Sequence, residues 1–466
     1  MNLVQITPGA GGMYCGNCFR DNALVAGLRQ LGHSTLMVPL YLPMTLDEED
    51  QSAGTPIFFS GVNVFLEQKS AFFRHMPGWL HRALASPKLL AWAAGRAART
   101  RAEEVGDLTL SMLRGEEGNQ ARELDELIQW LRQHPHPDVI GLSNALLVGL
   151  ARKLKQELRS KIVCMLQGED FFLDSLPEGT RDAAWSTLAT RASDVDLFIA
   201  PSHYFGDLMA RRLDLAADRV RVIHNGINLQ GFEAERRESR VQSQHGGQPS
   251  STDLRPSTPV LGYFARMCPE KGLDRLMEAF LLLKQRPRTK NLKLRVGGGC
   301  GPADEPFVAT LRQRLTAHGV AHDVEFHPNL SRAAKLAFLR SLTVFSVPAL
   351  YGEAFGLYVI EALASGVPVV QPRTASFPEL IEATGGGVLC EPGDATALAN
   401  AIEDVLKDPE RLRALGDAGR AAVFDRFSTG HMARQIAELC QSLSQGSNPE
   451  DTTNRRGGLT LVNRKS

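Results

Sequence analysis

Residues 344–371 read VFSVPALYGEAFGLYVIEALASGVPVVQ, and this stretch decides the fold class. It opens with an apolar run at 344–347 and closes with another at 367–371, and both runs predict buried strands. Between them lie a glycine-containing loop and a helical segment that starts near Gly356. Two strands joined through a helix favour a right-handed crossover within a parallel sheet.

The same alternation of strands and helices extends in both directions along the chain. The runs that we predict as strands are 3–7, 34–40, 138–142, 161–166, 195–200 and 219–224 in the first half, and 260–265, 292–296, 324–326, 344–347 and 367–371 in the second. The sequence therefore predicts an α/β protein with two facing Rossmann-like domains and a cleft between them.

Changes in composition along the chain indicate where these domains begin and end. We expect the first domain over residues 1–227 and the second over 259–430. Outside these two regular regions we expect a helical insertion in the first domain at about 66–134, a flexible and almost apolar-free insertion at 234–258, a helix at 431–445 that crosses back, and a disordered tail at 446–466.

The overall composition excludes several classes of protein. The chain has 52 basic and 52 acidic residues among 466, and this balance argues against a general nucleic-acid binder. Its hydrophobic fraction of 43% supports a packed core, but no apolar run approaches the roughly 18 residues that span a bilayer. The N-terminus lacks the pattern of a secretory signal, and seven scattered cysteines do not predict a disulfide framework. We therefore expect a cytoplasmic enzyme.

One stretch of the predicted insertion is strongly basic. Residues 68–102 contain no acidic side chain, and basic residues between 69 and 101 alternate with tryptophan and phenylalanine. Three interpretations stay open for this segment. It could form core helices with solvated basic faces, or it could recognise an anionic or lipid-linked acceptor. It could also make peripheral contact with an anionic membrane surface, such as the inner face of the cell membrane.

Two carboxylates in the opening stretch are candidates for substrate contact. Glu353 lies in the loop, and Glu361 lies on the helix four residues after Leu357, so Leu357 and Glu361 share one helical face. The free N–H groups at the helix start, near Gly356 and Leu357, predict a site for an anion. Glu361 stands among apolar neighbours, and a ribose diol would satisfy a carboxylate in such a place.

A second group of charges follows the strand predicted at 260–265. Arg266 stands at the strand end, where its planar fork could hold two phosphate oxygens. Lys271 precedes a helix, and a cation there opposes the helix dipole by roughly 0.3–1 kcal/mol unless an anion shares the place.

Together these residues resemble the family 4 retaining glycosyltransferases, which have two facing Rossmann-like domains (the GT-B fold). The motifs that carry the resemblance are Glu353-x7-Glu361 with Phe355-Gly356 inside it, Arg266-x4-Lys271-Gly272, the glycines 297–299, Pro378-Glu379, and Asn225-Gly226-Ile227-Asn228. The resemblance implies that a hexosyltransferase moves a hexose from a nucleotide sugar to a carbohydrate or lipid-linked acceptor with retention of configuration.

The resemblance also implies roles for individual residues. Arg266 and Lys271 would hold the donor diphosphate and Glu361 the ribose. The substrate-facing residues would further include Gly11, Gly12, Gly299, Glu353, Phe355, Gly356 and Leu357. Fixed cations and helix N–H groups could stabilise the leaving diphosphate in place of a metal ion, and no Asp-x-Asp pair is placed to hold one. We therefore expect neither a metal nor another cofactor.

The sequence departs from relatives at one position near the first domain's strand ends. Gln167 stands where many relatives carry histidine, and glutamine cannot act as a general base. Glu169 and Asp170 either orient an acceptor hydroxyl or serve as first-turn acids of a helix. Cys15 and Cys18 suggest a redox pair, or small residues in a tight loop, and we expect several thiols to line the cleft.

Two other functions compete with this interpretation. The first, a dinucleotide oxidoreductase, is disfavoured, because the loop after the first strand lacks the third glycine of G-x-G-x-x-G. In addition, residues 33–40 contain no acidic residue that could bind a ribose. A non-catalytic nucleotide-sugar-binding protein with the same site is the other alternative.

Overall fold

The computed structural model describes residues 1–9, 16–44, 46–59, 102–233 and 258–446, and the side chains of 102–105 are not included. Gly11, Gly12 and Cys15 therefore lie outside the described residues. So do the basic segment at 69–101 and nearly all of the two stretches predicted to be flexible, 234–258 and 446–466.

The first sheet has six parallel strands in the order β2-β1-β3-β4-β5-β6. Its strands are β1 (Asn2–Thr7), β2 (Ser34–Pro39), β3 (Val139–Leu142), β4 (Lys161–Met165), β5 (Leu197–Ala200) and β6 (Val220–Val222). The helices of this half are α1 (Gly16–Gln30), α2 (Ala102–Arg114), α3 (Ala121–Leu131), α4 (Ala151–Leu158), α5 (Glu169–Asp174), α6 (Glu178–Ala192) and α7 (His203–Leu213). The described part of the predicted insertion, α2 and α3, is helical.

The second sheet also has six parallel strands, in the order β12-β11-β10-β7-β8-β9. Its strands are β7 (Val260–Phe264), β8 (Lys293–Gly298), β9 (Val324–Pro328), β10 (Val344–Phe345), β11 (Val369–Pro372) and β12 (Gly387–Cys390). The helices are α8 (Leu273–Lys284), α9 (Glu305–Ala317), α10 (Arg332–Arg340), α11 (Leu357–Ala364), α12 (Phe377–Thr384), α13 (Ala395–Leu406), α14 (Pro409–Arg426) and α15 (Thr429–Ser444). The prediction of two Rossmann-like α/β domains is confirmed.

Burial explains why the central strands read as continuous apolar runs. All four residues of β3 and of β5 are buried, as expected for parallel strands covered by helices on both faces. The edge strand β12 was missed in the sequence. It begins on the third of three consecutive glycines and is only half-buried along most of its length, so it lacks the apolar run that marks the central strands.

The chain crosses between the two halves twice, at adjacent places. Ile227 N–H donates to the Phe427 carbonyl, and Thr429 N–H donates back to the Ile227 carbonyl. The last helix, α15, then lies on the first domain, where Met432, Ala433 and Ile436 share a core with residues of α1. Gly27 of α1 permits this packing, because a Cβ atom there would lie 2.8 Å from Ala433 Cβ.

Candidate functional site

A cavity of about 220 Å³ lies between the two domains, where strands of both sheets end. Its walls come from α1 and the loop after β2 in the first domain, and from strand ends, α10 and α11 in the second. The lining residues are Gly16, Phe19, Arg20, Ala23, Asp47, Glu48, Gly226, Ile227, Asn228, Phe264, Ala265, Arg266, Gly298, Gly299, Asn329, Leu330, Arg332, Lys335, Leu357, Tyr358 and Glu361. Of the predicted site residues, Arg266, Gly299, Leu357 and Glu361 therefore meet at one cavity.

Two helix N-termini lie close together at this cleft. Gly356 caps α11 with a φ of 92°, a left-handed conformation that favours glycine, and Leu357 and Tyr358, the first two residues of the helix, line the cavity. A Cβ atom on Gly16, the first residue of α1, would lie 4.0 Å from Leu357 Cδ1. The positive ends of two helix dipoles thus lie near the same cavity, which favours an anion there.

Phe355, which precedes this cap, is buried and is not among the residues that line the cavity. Its ring lies 6.0 Å from the His224 ring and 6.3 Å from the Phe427 ring. Its carbonyl accepts a hydrogen bond from Ser376 Oγ at 2.9 Å, so its backbone is held next to the α11 N-terminus.

Glu361 is the carboxylate that reaches the cavity one turn into α11. Its Oε1 accepts a hydrogen bond from Lys335 Nζ at 2.9 Å, and the same ammonium lies 2.9 Å from Asp47 Oδ2 of the first domain. Burial alone would lower the pKa of Lys335, but the carboxylates of Glu361 and Asp47 outweigh it and raise that pKa. Sequence reasoning missed Lys335 and Asp47, since a lysine on an amphipathic helix carries no distinguishing pattern.

A second ion pair closes the same side of the cavity. Arg332 Nη1 lies 2.7 Å from Glu48 Oε1, and its Nη2 donates to the carbonyls of Asn228 and Gln230. The first domain's acidic pair 47–48 therefore bonds to two cations on α10 of the second domain. Burial raises the pKa of Glu48 despite the nearby Arg332 guanidinium.

Arg266 stands at the end of β7 with its side chain 62% exposed. Arg266 forms an ion pair with Asp304, and its Nε lies 3.0 and 3.1 Å from the two Asp304 carboxylate oxygens. Gly298, with a φ of 121°, and Gly299 bring the neighbouring backbone close to it.

Lys271 and Glu353 form a separate, more buried pair next to this cavity. Lys271 Nζ lies 2.5 Å from Glu353 Oε2, and the hydroxyls of Tyr351 and Tyr358 donate to the same oxygen at 3.1 and 2.7 Å. Burial alone would raise the pKa of Glu353, but the Lys271 ammonium and both phenols hold it below its usual value. Lys271 thus faces a carboxylate here, and of these four residues only Tyr358 lines the cavity.

The three residues predicted at the end of β4 occupy different surroundings. Glu169 is the first residue of α5, is buried, and accepts hydrogen bonds from the Ala145 and Gln167 amides at 2.7 and 2.8 Å. Burial raises the pKa of Glu169. Asp170 Oδ1 is buried without a hydrogen-bond partner among the described residues, and Gln167 is half-buried.

None of the described cysteines is among the residues that line the cavity, but the half-buried Cys300 directly follows the lining residue Gly299. Cys18 is fully buried within α1, and Cys268 is also buried. Burial raises the pKa of Cys268 to about 11, so its thiol stays protonated at neutral pH.

The described part of the chain contains neither a metal-binding cluster nor a helix suited to span a membrane. In that part, no three His, Cys, Asp or Glu side chains meet in a way that could hold a metal ion. None of its helices combines the length and apolar character that a membrane span requires.

Two models of known protein families match this chain, one in each half. Residues 93–230 match the family model described as Glycosyltransferase Family 4, and residues 248–422 match the one described as Glycosyl transferases group 1. Both matches fall on the two α/β domains described above.

Curated relatives are similar over part of their length. A GDP-mannose-dependent alpha-(1-6)-phosphatidylinositol monomannoside mannosyltransferase of Mycolicibacterium smegmatis is 32% identical over 187 residues, which is 39% of this chain and 47% of that protein. A D-inositol 3-phosphate glycosyltransferase of Streptomyces coelicolor is 31% identical over 253 residues, or 52% and 54% of the two chains. The chain thus spans about half the length of the curated relatives it matches.

Solved structures support the fold over nearly the whole chain. Sucrose-phosphate synthase from Thermosynechococcus elongatus aligns with a TM-score of 0.66 at 20% identity, covering 96% of this chain and all of that one. Anabaena HepE in complex with UDP aligns with a TM-score of 0.63 at 17% identity, covering 95% of this chain and all of that one. The arrangement of the two domains is therefore the GT-B fold. The two family models, one on each domain, show that the chain belongs to the family 4, group 1 glycosyltransferases.

Proposed function

We propose that this protein is a retaining glycosyltransferase that moves a hexose from a nucleotide-diphosphate sugar to a carbohydrate or lipid-linked acceptor without a metal ion. The observation that carries the proposal is the arrangement around α11. Its N-terminus opens into the interdomain cavity, with Arg266 at the cavity wall and Glu361 one turn along the same helix. A diphosphate at the helix start and a ribose at Glu361 would fit this arrangement.

Departure of the nucleotide is the step that these groups would assist. Negative charge develops on the diphosphate as the glycosidic bond breaks, and fixed donors aimed at that charge lower the barrier. Arg266 and the free N–H groups at the start of α11 would supply such donors, and Lys271, which pairs with Glu353 here, would add a positive charge next to this cavity. We infer that this set replaces a metal ion.

Retention of configuration is inferred from the resemblance to the retaining family. The acceptor hydroxyl would attack from the face that the leaving diphosphate vacates, and the diphosphate would take up the proton. No protein nucleophile is then needed, and we assign none. Glu353 would bind hydroxyls of the transferred sugar, and Gln167 and Asp170 would lie toward the acceptor.

Thermal unfolding with candidate ligands tests the donor site. The panel holds UDP, GDP, ADP, their common sugar conjugates, NAD and NADP, because the relatives' names mention GDP-mannose and a similar fold was solved with UDP. A ligand at about 100 times its dissociation constant stabilises by roughly 2.7 kcal/mol. We expect a shift with one nucleoside diphosphate that is lost in Glu361→Ala, whereas a shift only with NAD or NADP would instead support the oxidoreductase.

Transfer itself separates an enzyme from a non-catalytic nucleotide-sugar binder. We expect turnover of the stabilising nucleotide sugar to continue in EDTA, and NMR of the first product formed to show the donor's anomeric configuration. Binding without turnover on a broad panel of glycan and lipid acceptors would favour the binder. An inverted product would contradict retention, and loss of activity in EDTA that Mg²⁺ restores would contradict metal independence.

The basic segment at 69–101, outside the described residues, suggests where an acceptor could be held. We propose that it brings the protein to an anionic membrane surface, such as the inner face of the membrane, where a lipid-linked acceptor would lie. Flotation with phosphatidylglycerol vesicles should show binding that weakens with salt. Equal binding to phosphatidylcholine vesicles would contradict an electrostatic contact.

A further inference from the structure

Three hydrogen-bond donors converge on a single oxygen of Glu353. Lys271 Nζ, the Tyr358 hydroxyl and the Tyr351 hydroxyl all bond to Oε2. Tyr351 also accepts a hydrogen bond from the Lys271 ammonium, so the lysine, the carboxylate and one phenol form a closed triangle. A carboxylate held at one oxygen by three donors has a fixed orientation, since rotation about its last torsion would break all three bonds.

The other oxygen is left available. Glu353 Oε1 makes no hydrogen bond to any described residue, and the side chain keeps 13% of its surface exposed. A Cβ atom on Gly356, at the cap of α11, would lie 3.7 Å from Glu353 Cγ, so this carboxylate stands beside the proposed diphosphate site. Tyr358 connects the two places, because it bonds to Glu353 and also lines the cavity.

The same two rings enclose the lysine. Lys271 Nζ lies 4.8 Å from the centre of the Tyr351 ring and 5.2 Å from that of Tyr358, distances that permit cation–π attraction. The ammonium therefore has one acidic partner, one hydroxyl partner and two aromatic faces. Such surroundings leave a flexible lysine few alternative positions.

We propose that Tyr351 and Tyr358 are positioning residues, which bind Oε2 of Glu353 so that Oε1 points to the hydroxyls of the transferred sugar. The inference rests on the proposed function, since it assigns to Glu353 a contact with the donor sugar. Phenylalanine at either position keeps the ring against Lys271 and removes only the hydroxyl. Tyr→Phe variants therefore separate the hydrogen bond from the packing.

The first measurement needs no activity. Because the pKa of Glu353 is held below its ordinary value of 4.5, its ionised form stabilises the fold above that pH, and this contribution is lost as the pH falls through the folded-state pKa. Tyr358→Phe removes the shorter phenol bond and should weaken it. We expect the difference in unfolding midpoint between wild type and Tyr358→Phe to be largest near neutral pH and to shrink below about pH 4.

A matched control loses a buried hydroxyl far from the site. Thr289 Oγ1 donates to the Leu283 carbonyl near the C-terminal end of α8, whereas Lys271 precedes the start of that helix. Thr289→Val should lower the unfolding midpoint by an amount that does not change with pH. A pH-independent difference for Tyr358→Phe as well would show that its hydroxyl is only structural and would overturn the proposal.

Kinetics then test the positioning role with GDP-mannose and UDP-glucose as donors. Loss of one hydrogen bond to a charged group changes the pKa of that group by roughly one unit. The acid limb of the pH profile of kcat should therefore move to higher pH by about that amount in Tyr358→Phe. We expect kcat to fall about tenfold in the Tyr351→Phe/Tyr358→Phe double variant, with less than a twofold change in donor KM, and no such changes in Thr289→Val. Unchanged kcat and pH profiles in the variants would contradict the proposal. Absence of turnover in the wild type would instead contradict the proposed function, and the unfolding test would then decide whether the two tyrosines position Glu353.

Discussion

At the scale of single residues, the site contains one ammonium group between two carboxylates from different domains. Lys335 lies 2.9 Å from both Asp47 and Glu361, with its own side chain only 12% exposed. Removing one partner of a buried ion pair leaves uncompensated charge, which costs more than the pair contributes. Lys335 thus supplies the positive charge that joins Asp47 of the first domain to Glu361 of the second.

Replacement of Lys335 by methionine should therefore destabilise the protein strongly. We expect the free energy of unfolding to fall by about 3 kcal/mol at neutral pH. Because the pKa of Lys335 is raised above its ordinary 10.5, this contribution is complete below that pH and is lost only at higher pH. Urea unfolding between about pH 6 and pH 9 should give a constant difference.

Lys407→Met is the matched control for that measurement. Lys407 also pairs with a carboxylate, Asp404, but the two side chains are 47% and 60% exposed. Its replacement should change the free energy of unfolding by at most about 0.5 kcal/mol. Equal effects of the two substitutions would show that the cavity pair behaves as surface charge.

Residues differ in how far the sequence could predict them. Arg266 and Glu361 could be found, because each has a fixed place relative to a strand end or a helix start. Lys335 could not, since only tertiary packing brings α10 next to Glu361 of its own domain and Asp47 of the other. Tyr358 was also missed, because tyrosine within an apolar helix indicates core packing equally well.

At the scale of secondary-structure elements, the N-terminus of α7 receives caps from both domains. Ser202 accepts a hydrogen bond from the Phe205 amide and donates to the Ala354 carbonyl across the cleft. Glu379 of α12 accepts from the His203 amide at 2.9 Å and contacts His224 Nε2 at 2.8 Å. Pro378-Glu379 was recognised in the sequence as a motif, but a cap supplied by another domain leaves no periodic pattern.

Substitution of Glu379 by glutamine should loosen this contact between the domains. A carboxylate at a helix N-terminus contributes about 1 kcal/mol to the free energy of unfolding. Burial alone would raise the pKa of Glu379, but His224 and the backbone amides outweigh burial and lower that pKa. The contribution is therefore present above the ordinary pKa of 4.5 and lost as the pH falls further. Urea unfolding at about pH 7 and pH 3.5 should show the larger difference at the higher pH.

Asp408→Asn distinguishes capping from docking. Asp408 caps α14 by accepting from the Arg411 amide within one domain. Both variants should lose stability, but only Glu379→Gln should make the crossing at 225–231 more sensitive to limited proteolysis. Equal proteolysis of both variants would contradict a docking role for Glu379.

The start of α5 gives a different expectation for Glu169. Its carboxylate accepts from two backbone amides, so Glu169→Ala should leave buried donors unpaired and cost about 2 kcal/mol of unfolding free energy. Acceptor KM should change less than twofold, because the side chain is already bonded within the first domain. A large rise in acceptor KM with unchanged stability would instead support the acceptor-orienting role that the sequence left open.

At the scale of the whole molecule, two sets of contacts hold the domains together. In the first set, the crossings at Ile227 and Thr429 bond to each other. In the second set, α10 bonds through Arg332 and Lys335 to the acidic pair of the first domain. The sequence could predict two domains and a cleft from local patterns, but the closing contacts pair residues nearly 300 positions apart and have no local signal.

Neutralising that acidic pair should favour a more open arrangement. Asp47→Asn combined with Glu48→Gln removes both ion pairs to α10 and leaves the bond between Lys335 and Glu361 in place. We expect a larger radius of gyration by small-angle X-ray scattering, and a donor KM about tenfold higher, equivalent to about 1.4 kcal/mol. Saturating nucleoside diphosphate should bring the radius back toward that of the wild type, because the ligand would contact both sides of the cavity. Glu325→Gln, which breaks an ion pair with Arg295 inside the second domain, should change neither quantity. An unchanged radius of gyration and donor KM in the double variant would mean that the chain crossings at Ile227 and Thr429 alone determine the relative position of the two domains.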